Sequence, residues 1–75
     1  MKLTLAQQRV YDAIARFMAD RGYSPSVREI VDCVGRTSAT VHHHIGALAR
    51  RGYIAYEPRT ARTIRIVHRQ RDGAA

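Results

Sequence analysis

A chain of 75 residues with 45% apolar and 25% charged side chains is one small globular domain, which excludes a large enclosed active site, an extended disordered tract and a bilayer-spanning protein. The formal net charge of +7 is unevenly spread: residues 1–35 carry five basic and four acidic side chains, whereas residues 36–75 carry eight arginines against Glu57 and Asp72. The lone Cys33 excludes an internal disulfide and a multi-cysteine metal site and fits a cytosolic chain.

The first segment, "LTLAQQRVYDAIARFMADRGYSP", opens on Thr4 with Gln7 three residues later, the spacing of a capping box. Val10, Ile14, Phe17 and Met18, with Ala6 and Ala13 beside them, fall on one side of a helix of about five turns. Gly22 supplies a left-handed stop and Pro25 discourages continuation. A second helix restarts at once, capped by Ser26 with Glu29, and Val27, Ile30, Val31 and Val34 form its stripe. It is short, roughly eight residues, and ends at Gly35.

Only a few residues, beginning "RTSA", lie between Gly35 and the third apolar series, Val41, Ile45 and Leu48. Two helices joined by so short a glycine-containing turn form a helix-turn-helix. The third helix runs to Arg51 and closes at Gly52, with cations at the negative end of its dipole. The period then changes: "YIAYE" alternates, "PRTAR" has the composition of a hairpin loop, and "TIRIV" alternates again with Ile64 and Ile66 on one face. A hairpin of that size must pack on the helices, and Tyr53 and Tyr56 are the side chains expected to do it. The fold class is therefore α+β, mainly α: a winged helix-turn-helix of three helices and a two-stranded β-hairpin wing. Residues 1–67 form the domain and 68–75 a basic flexible tail.

The third helix contains "TVHHHI", whose three histidines separate at about 100° per residue. With Val41, Ile45 and Leu48 turned inward, His43 faces out with Ala39, Gly46 and Arg50; His42 lies on the flank, and His44 lies toward the core boundary. A helical zinc site recruits histidines at i and i+4. The positions four residues after His42, His43 and His44 are Gly46, Ala47 and Leu48, so neither a metal nor another cofactor is expected.

A helix entering the major groove reads bases from its N-terminal turns. Thr37, Ser38, Ala39, Thr40, His42 and His43 occupy that region and are the candidate base readers, with hydroxyls, a small apolar contact and imidazole donors. Ser26, Arg28, Arg36, Arg50, Arg59 and Arg62 are the candidate backbone and wing contacts, because phosphate contacts outnumber base contacts in most complexes. Arginine makes up 12 of the 13 basic residues. A GC-rich genome would account for that choice but not for the charge asymmetry.

The passages "LTLAQQ", "GYSPSVREI" and "LARRGYI" together resemble the N-terminal operator-binding domain of the SOS repressor LexA family, in its actinobacterial and Gram-positive form, over roughly residues 3–67. The resemblance implies a third helix that reads the major groove of a palindromic operator. It further implies base contacts from Ser38, Thr40, His42 and His43, with Thr37 and Ala39 near them, and a phosphate contact from Arg28. "TVHHHI" is similar to the family's T-V-H-x-H-L, with His43 in the variable middle place. Between Gly35 and Thr40 the chain is one residue shorter than the family pattern. Family members continue into a dimerisation and self-cleavage domain that needs a serine and a lysine. The only lysine here is Lys2, so self-cleavage is not carried over.

The expected activity is sequence-specific binding of double-stranded DNA by a small stand-alone LexA-like regulator, a repressor, that forms at most a weak homodimer on DNA. Its expected setting is the bacterial or phage-encoded cytoplasm, at the nucleoid and away from membranes. Two other readings stand beside it: a winged-helix protein-interaction module and a histidine-dependent, metal-responsive regulator. An enzyme is not expected, because no nucleophile, base and orienting group occur together.

Overall fold

The computed structural model describes residues 3–67. Helix α1 spans Leu5–Arg21, α2 Val27–Val34 and α3 Ser38–Arg50; strands β1 (Ile54–Ala55) and β2 (Arg65–Ile66) pair antiparallel, Ile54 opposite Ile66 and Ala55 opposite Arg65. This is the winged helix-turn-helix expected from the periodicity. The tail proposed for 68–75 lies outside the described residues.

Each helix start is a local device. In α1 the Thr4 hydroxyl accepts from the Gln7 amide at 3.1 Å and the Gln7 side chain accepts from the Thr4 amide at 3.1 Å. In α2 Ser26 and Glu29 repeat the arrangement at 3.2 and 2.8 Å. These reciprocal bonds satisfy two of the amide donors that every helix start leaves unpaired. Helix α3 has a simpler cap, with the Thr37 hydroxyl accepting from the Thr40 amide at 3.2 Å.

The helix ends are as local as the starts. Gly35, with φ of 70°, turns the chain out of α2 while its amide bonds to Val31 O at 2.9 Å. Only Gly35, Arg36 and Thr37 then separate α2 from α3. Helix α3 closes in a Schellman arrangement: the Tyr53 amide bonds to Leu48 O and the Gly52 amide to Ala49 O, both at 3.0 Å, with Gly52 at φ of 83°.

Helix α3 packs against α1, α2 and β1, and the core lies where they meet. Val10, Tyr11 and Ile14 of α1, Ile30 of α2, Val41, Ile45 and Leu48 of α3, and Ile54 and Ile64 of the wing form one buried cluster. Tyr11 belongs to it although the apolar stripe of α1 omitted it: its ring stands edge-on to Tyr53 at 5.9 Å and joins α1 to the residue that leads into β1. Tyr53 and Tyr56 pack half-buried against the cluster, as the alternation implied. Phe17 is buried apart from that cluster, edge-on to Tyr23 at 5.6 Å.

The strands are shorter than the five-residue runs "YIAYE" and "TIRIV" suggest, at two residues each. Extending the register would make Glu57 and Thr63 the next hydrogen-bonded pair. There the Glu57 amide instead donates to the Thr63 side-chain hydroxyl at 2.9 Å, which ends the ladder. No described helix is long and apolar enough to cross a membrane.

Ile14 is fully enclosed at the centre of α1. Ile14→Ala removes three carbons from a core that cannot collapse around the gap, at a cost of about 2–5 kcal/mol. In a domain of this size that lowers the midpoint of thermal unfolding by roughly 10 °C or more, which circular dichroism melting checks.

Candidate nucleic-acid interface

The outward half of α3 is polar and open. Ser38, Ala39, His42 and His43 are exposed, Thr40 is half-buried, and the first turn contains no acidic side chain. Val41, Ile45 and Leu48 are buried on the opposite side, so the phase that separates the histidines is the one the helix adopts. Thr37 stands at the N-cap. Its hydroxyl accepts from the Thr40 amide and donates to the Thr40 hydroxyl at 2.9 Å.

His44 is half-buried, with its Nδ1 enclosed and bonded to no other group among the described residues, and the His43 ring rests edge-on against it at 5.6 Å. A Cβ added at Gly46 would meet Arg50 Nη1 at 3.4 Å. The room left by the missing side chain on this outward face is therefore occupied by the Arg50 guanidinium. Among the described residues no group of three or more His, Cys, Asp or Glu side chains is placed to hold a metal ion.

The wing loop begins with a tight turn in which the Thr60 amide donates to Glu57 O at 3.2 Å, and Pro58 and Arg59 occupy its centre. Arg59 has φ of 66° and Arg62 φ of 60°, left-handed conformations that usually favour glycine. Between α3 and the wing lies a groove of about 350 Å³ lined by His42, Ile45, Val27, Tyr56 and the loop 57–64. It brings His42, Arg59 and Arg62 of the expected site residues together. Arg28, Arg36, Arg50 and Arg59 are all solvent-exposed.

Two of the expected contacts also bond within the protein. The Ser26 hydroxyl is the cap of α2. Arg62, expected on the wing as a backbone contact, remains exposed but reaches across to α2: Nη1 donates to Glu29 Oε1 at 2.9 Å and to Ser24 O at 3.1 Å, and Nη2 donates to Glu29 Oε2 at 3.1 Å. The guanidinium also lies over the Tyr23 ring, 5.0 Å from its centroid. One residue on from Thr63, the Ile64 amide donates to the buried Ser24 hydroxyl at 3.0 Å.

Ser24, Tyr23 and Glu29 thus form a receptor for the wing that sequence patterning did not reveal, because their partners lie 33–40 residues away. The available signal was Glu29 itself, an acidic side chain in the chain's half that balances the basic wing. Its carboxyl is held well below the usual range, at about 2, chiefly by the Arg62 hydrogen bonds and then by the Ser26 amide.

Residues 1–63 match the family model described as the LexA DNA binding domain. The chain is 44% identical over 72 residues to the LexA repressor of Staphylococcus epidermidis, a match that covers 95% of this chain and 35% of that protein. It is 43% identical over 74 residues to the LexA repressor of Staphylococcus haemolyticus, across 97% of this chain and 36% of the other. With the LexA repressor of Thermosipho melanesiensis the identity is 42% over 69 residues, across 92% and 35%. The chain spans about a third of the length of these curated relatives.

The wing geometry and the ion pair each yield a measurable outcome. A left-handed backbone costs a side chain with a Cβ about 1 kcal/mol or more that glycine does not incur. Arg59→Gly is accordingly more stable than Arg59→Ala by up to about 1 kcal/mol in denaturant unfolding, once the greater freedom of glycine in the unfolded chain is subtracted. For Glu29, a folded-state pKa lowered from 4.5 to about 2 contributes stability that is fully present above pH 4.5 and is lost as pH falls toward 2. The stability gap between the unsubstituted protein and Glu29→Gln therefore stays constant from pH 7 to pH 5 and closes near pH 2. Urea midpoints at these pH values measure it, and a gap unchanged at pH 2 contradicts it.

Proposed function

Since the chain belongs to the LexA DNA-binding domain family, we propose that it binds a double-stranded, palindromic operator sequence-specifically and represses transcription from it, in the cytoplasm at the nucleoid. The observation that carries this reading is the exposed row Ser38, Ala39, His42 and His43 on α3, with no acidic side chain in the first turn and the wing beside it. A helix of that polarity, whose dipole leaves partial positive charge at its N-terminus, suits a major groove lined by acceptors and flanked by phosphates.

In this arrangement His43 and His42 reach base edges, with Ser38, Ala39 and Thr40 beside them. Thr37 orders the helix start, because its hydroxyl is occupied by Thr40. Arg28, Arg36 and Arg50 meet phosphates, and Arg59 at the wing tip meets the backbone or the adjoining minor groove. Two copies occupy the two half-sites, held by a weak homodimer contact that operates on DNA. Affinity falls steeply with salt, the slope of log K against log salt being about −0.9 for each phosphate neutralised.

Selection of bound fragments from random duplex DNA tests the reading directly: a two-fold symmetric consensus is the expected result, and recovery of no enriched sequence rejects it. On the selected duplex, His43→Ala changes the ratio of affinities for matched and scrambled sites, each lost base contact being worth about 1–3 kcal/mol. Arg59→Ala instead weakens binding to both and reduces the salt slope by about one phosphate. Fluorescence anisotropy at three salt concentrations separates the two patterns, and equal losses on matched and scrambled duplexes for both variants contradict this division of labour.

A further inference from the structure

The wing carries two arginines in left-handed conformations, and their surroundings differ in kind. Arg59 makes no side-chain hydrogen bond or ion pair among the described residues, whereas Arg62 has both terminal nitrogens on the two oxygens of Glu29 and a further bond to Ser24 O. A carboxylate in fork-to-fork contact offsets the charge that would attract a phosphate and, together with Ser24 O, takes three of the five guanidinium donors.

Glu29 is also more than a cap. Its reciprocal bond with Ser26 is the bond that Gln7 makes with Thr4 in α1, where a neutral amide serves equally well. The cap does not require the charge at position 29, and the largest partner of that charge is Arg62. That pair stands beside the Ile64–Ser24 bond and the Arg62–Tyr23 stacking, all joining the wing to the α1–α2 turn.

We infer that Glu29 and Arg62 are positioning residues for DNA binding: their bidentate pair fixes the wing, and with it Arg59, relative to α3, and Arg62 is not itself a phosphate ligand. The inference rests on the DNA-binding reading above. Its distinguishing consequence is a sign. If Arg62 were a phosphate ligand, neutralising Glu29 would release its charge and tighten binding. As one half of a clasp, Arg62 loses its hold when Glu29 is neutralised, and binding weakens.

The test measures affinity of the 75-residue protein for the selected duplex at fixed salt, with Glu29→Gln, Arg62→Lys, Arg59→Ala and the Glu29→Gln/Arg59→Ala pair, all well below their melting temperatures. Gln keeps the cap, as Gln7 does. Glu29→Gln is expected to bind about 3- to 10-fold more weakly, and Arg62→Lys, which keeps the charge but loses the fork, to do the same. Because both act through Arg59, the double variant binds within about 2-fold of Arg59→Ala alone.

Tighter binding by Glu29→Gln, unchanged binding by Arg62→Lys, or losses that add in the double variant would each overturn the inference, the last by exposing a general destabilisation. Failure of the unsubstituted protein to bind any duplex overturns the DNA-binding reading and the clasp's role together. It is recognised by its appearance before any substitution is made.

Discussion

The position of the wing depends on a set of bonds outside the sheet. Two strands of two residues cannot hold a hairpin in water, so its geometry is set where Arg62 and Ile64 meet the α1–α2 turn. Ser24 is the centre of that junction: its carbonyl takes Arg62, its hydroxyl takes the Ile64 amide, and the residue is buried beside Pro25. Ile64 and Ile54 add the apolar component by joining the helical core. The polar bonds give direction and the apolar contacts give hold, and neither alone would place a nine-residue loop beside α3.

Helix α3 shows how one short helix can serve packing and recognition without compromise. Val41, Ile45 and Leu48 are fully enclosed against α1, α2 and the wing, which fixes the rotation of the helix about its axis. That rotation puts His43 and Ala39 outward and turns His44 to the boundary. The histidine run is therefore three residues with three environments. The terminating Schellman turn at Gly52 then sends the chain back into β1, so backbone hydrogen bonds tie the end of α3 to the root of the wing.

What could be read from the residues in order was what is encoded locally. The Thr4–Gln7 and Ser26–Glu29 boxes, the glycine stops and the phase of Val41, Ile45 and Leu48 all act within a few residues, and they placed the three helices and the outward face of α3. Tyr11 was missed because its burial follows from Tyr53, 42 positions on, rather than from the stripe on α1. The strands were overextended because alternation records which face is apolar, whereas the ladder is cut by the Thr63 hydroxyl. The ion pair of the exposed Arg62 went unread because its partners are remote in sequence. The roles assigned to α3 and to the exposed arginines rest on accessibility and family membership.

The sequence separations of these bonds also order the events by which the domain assembles. Helix starts and stops are closed by residues three to five apart, so the helices can form early and at little loop-closure cost. The clasp closes loops of 33–40 residues, and such contacts are made only after the entropy of closure has been met. With strands of two residues and a clasp that rests on an exposed ion pair, the wing is expected to open before the helical core in native-state hydrogen exchange. Slow amide exchange in the α1–α3 core beside faster exchange at Ile64 would be the signature of a helical body that outlasts its wing.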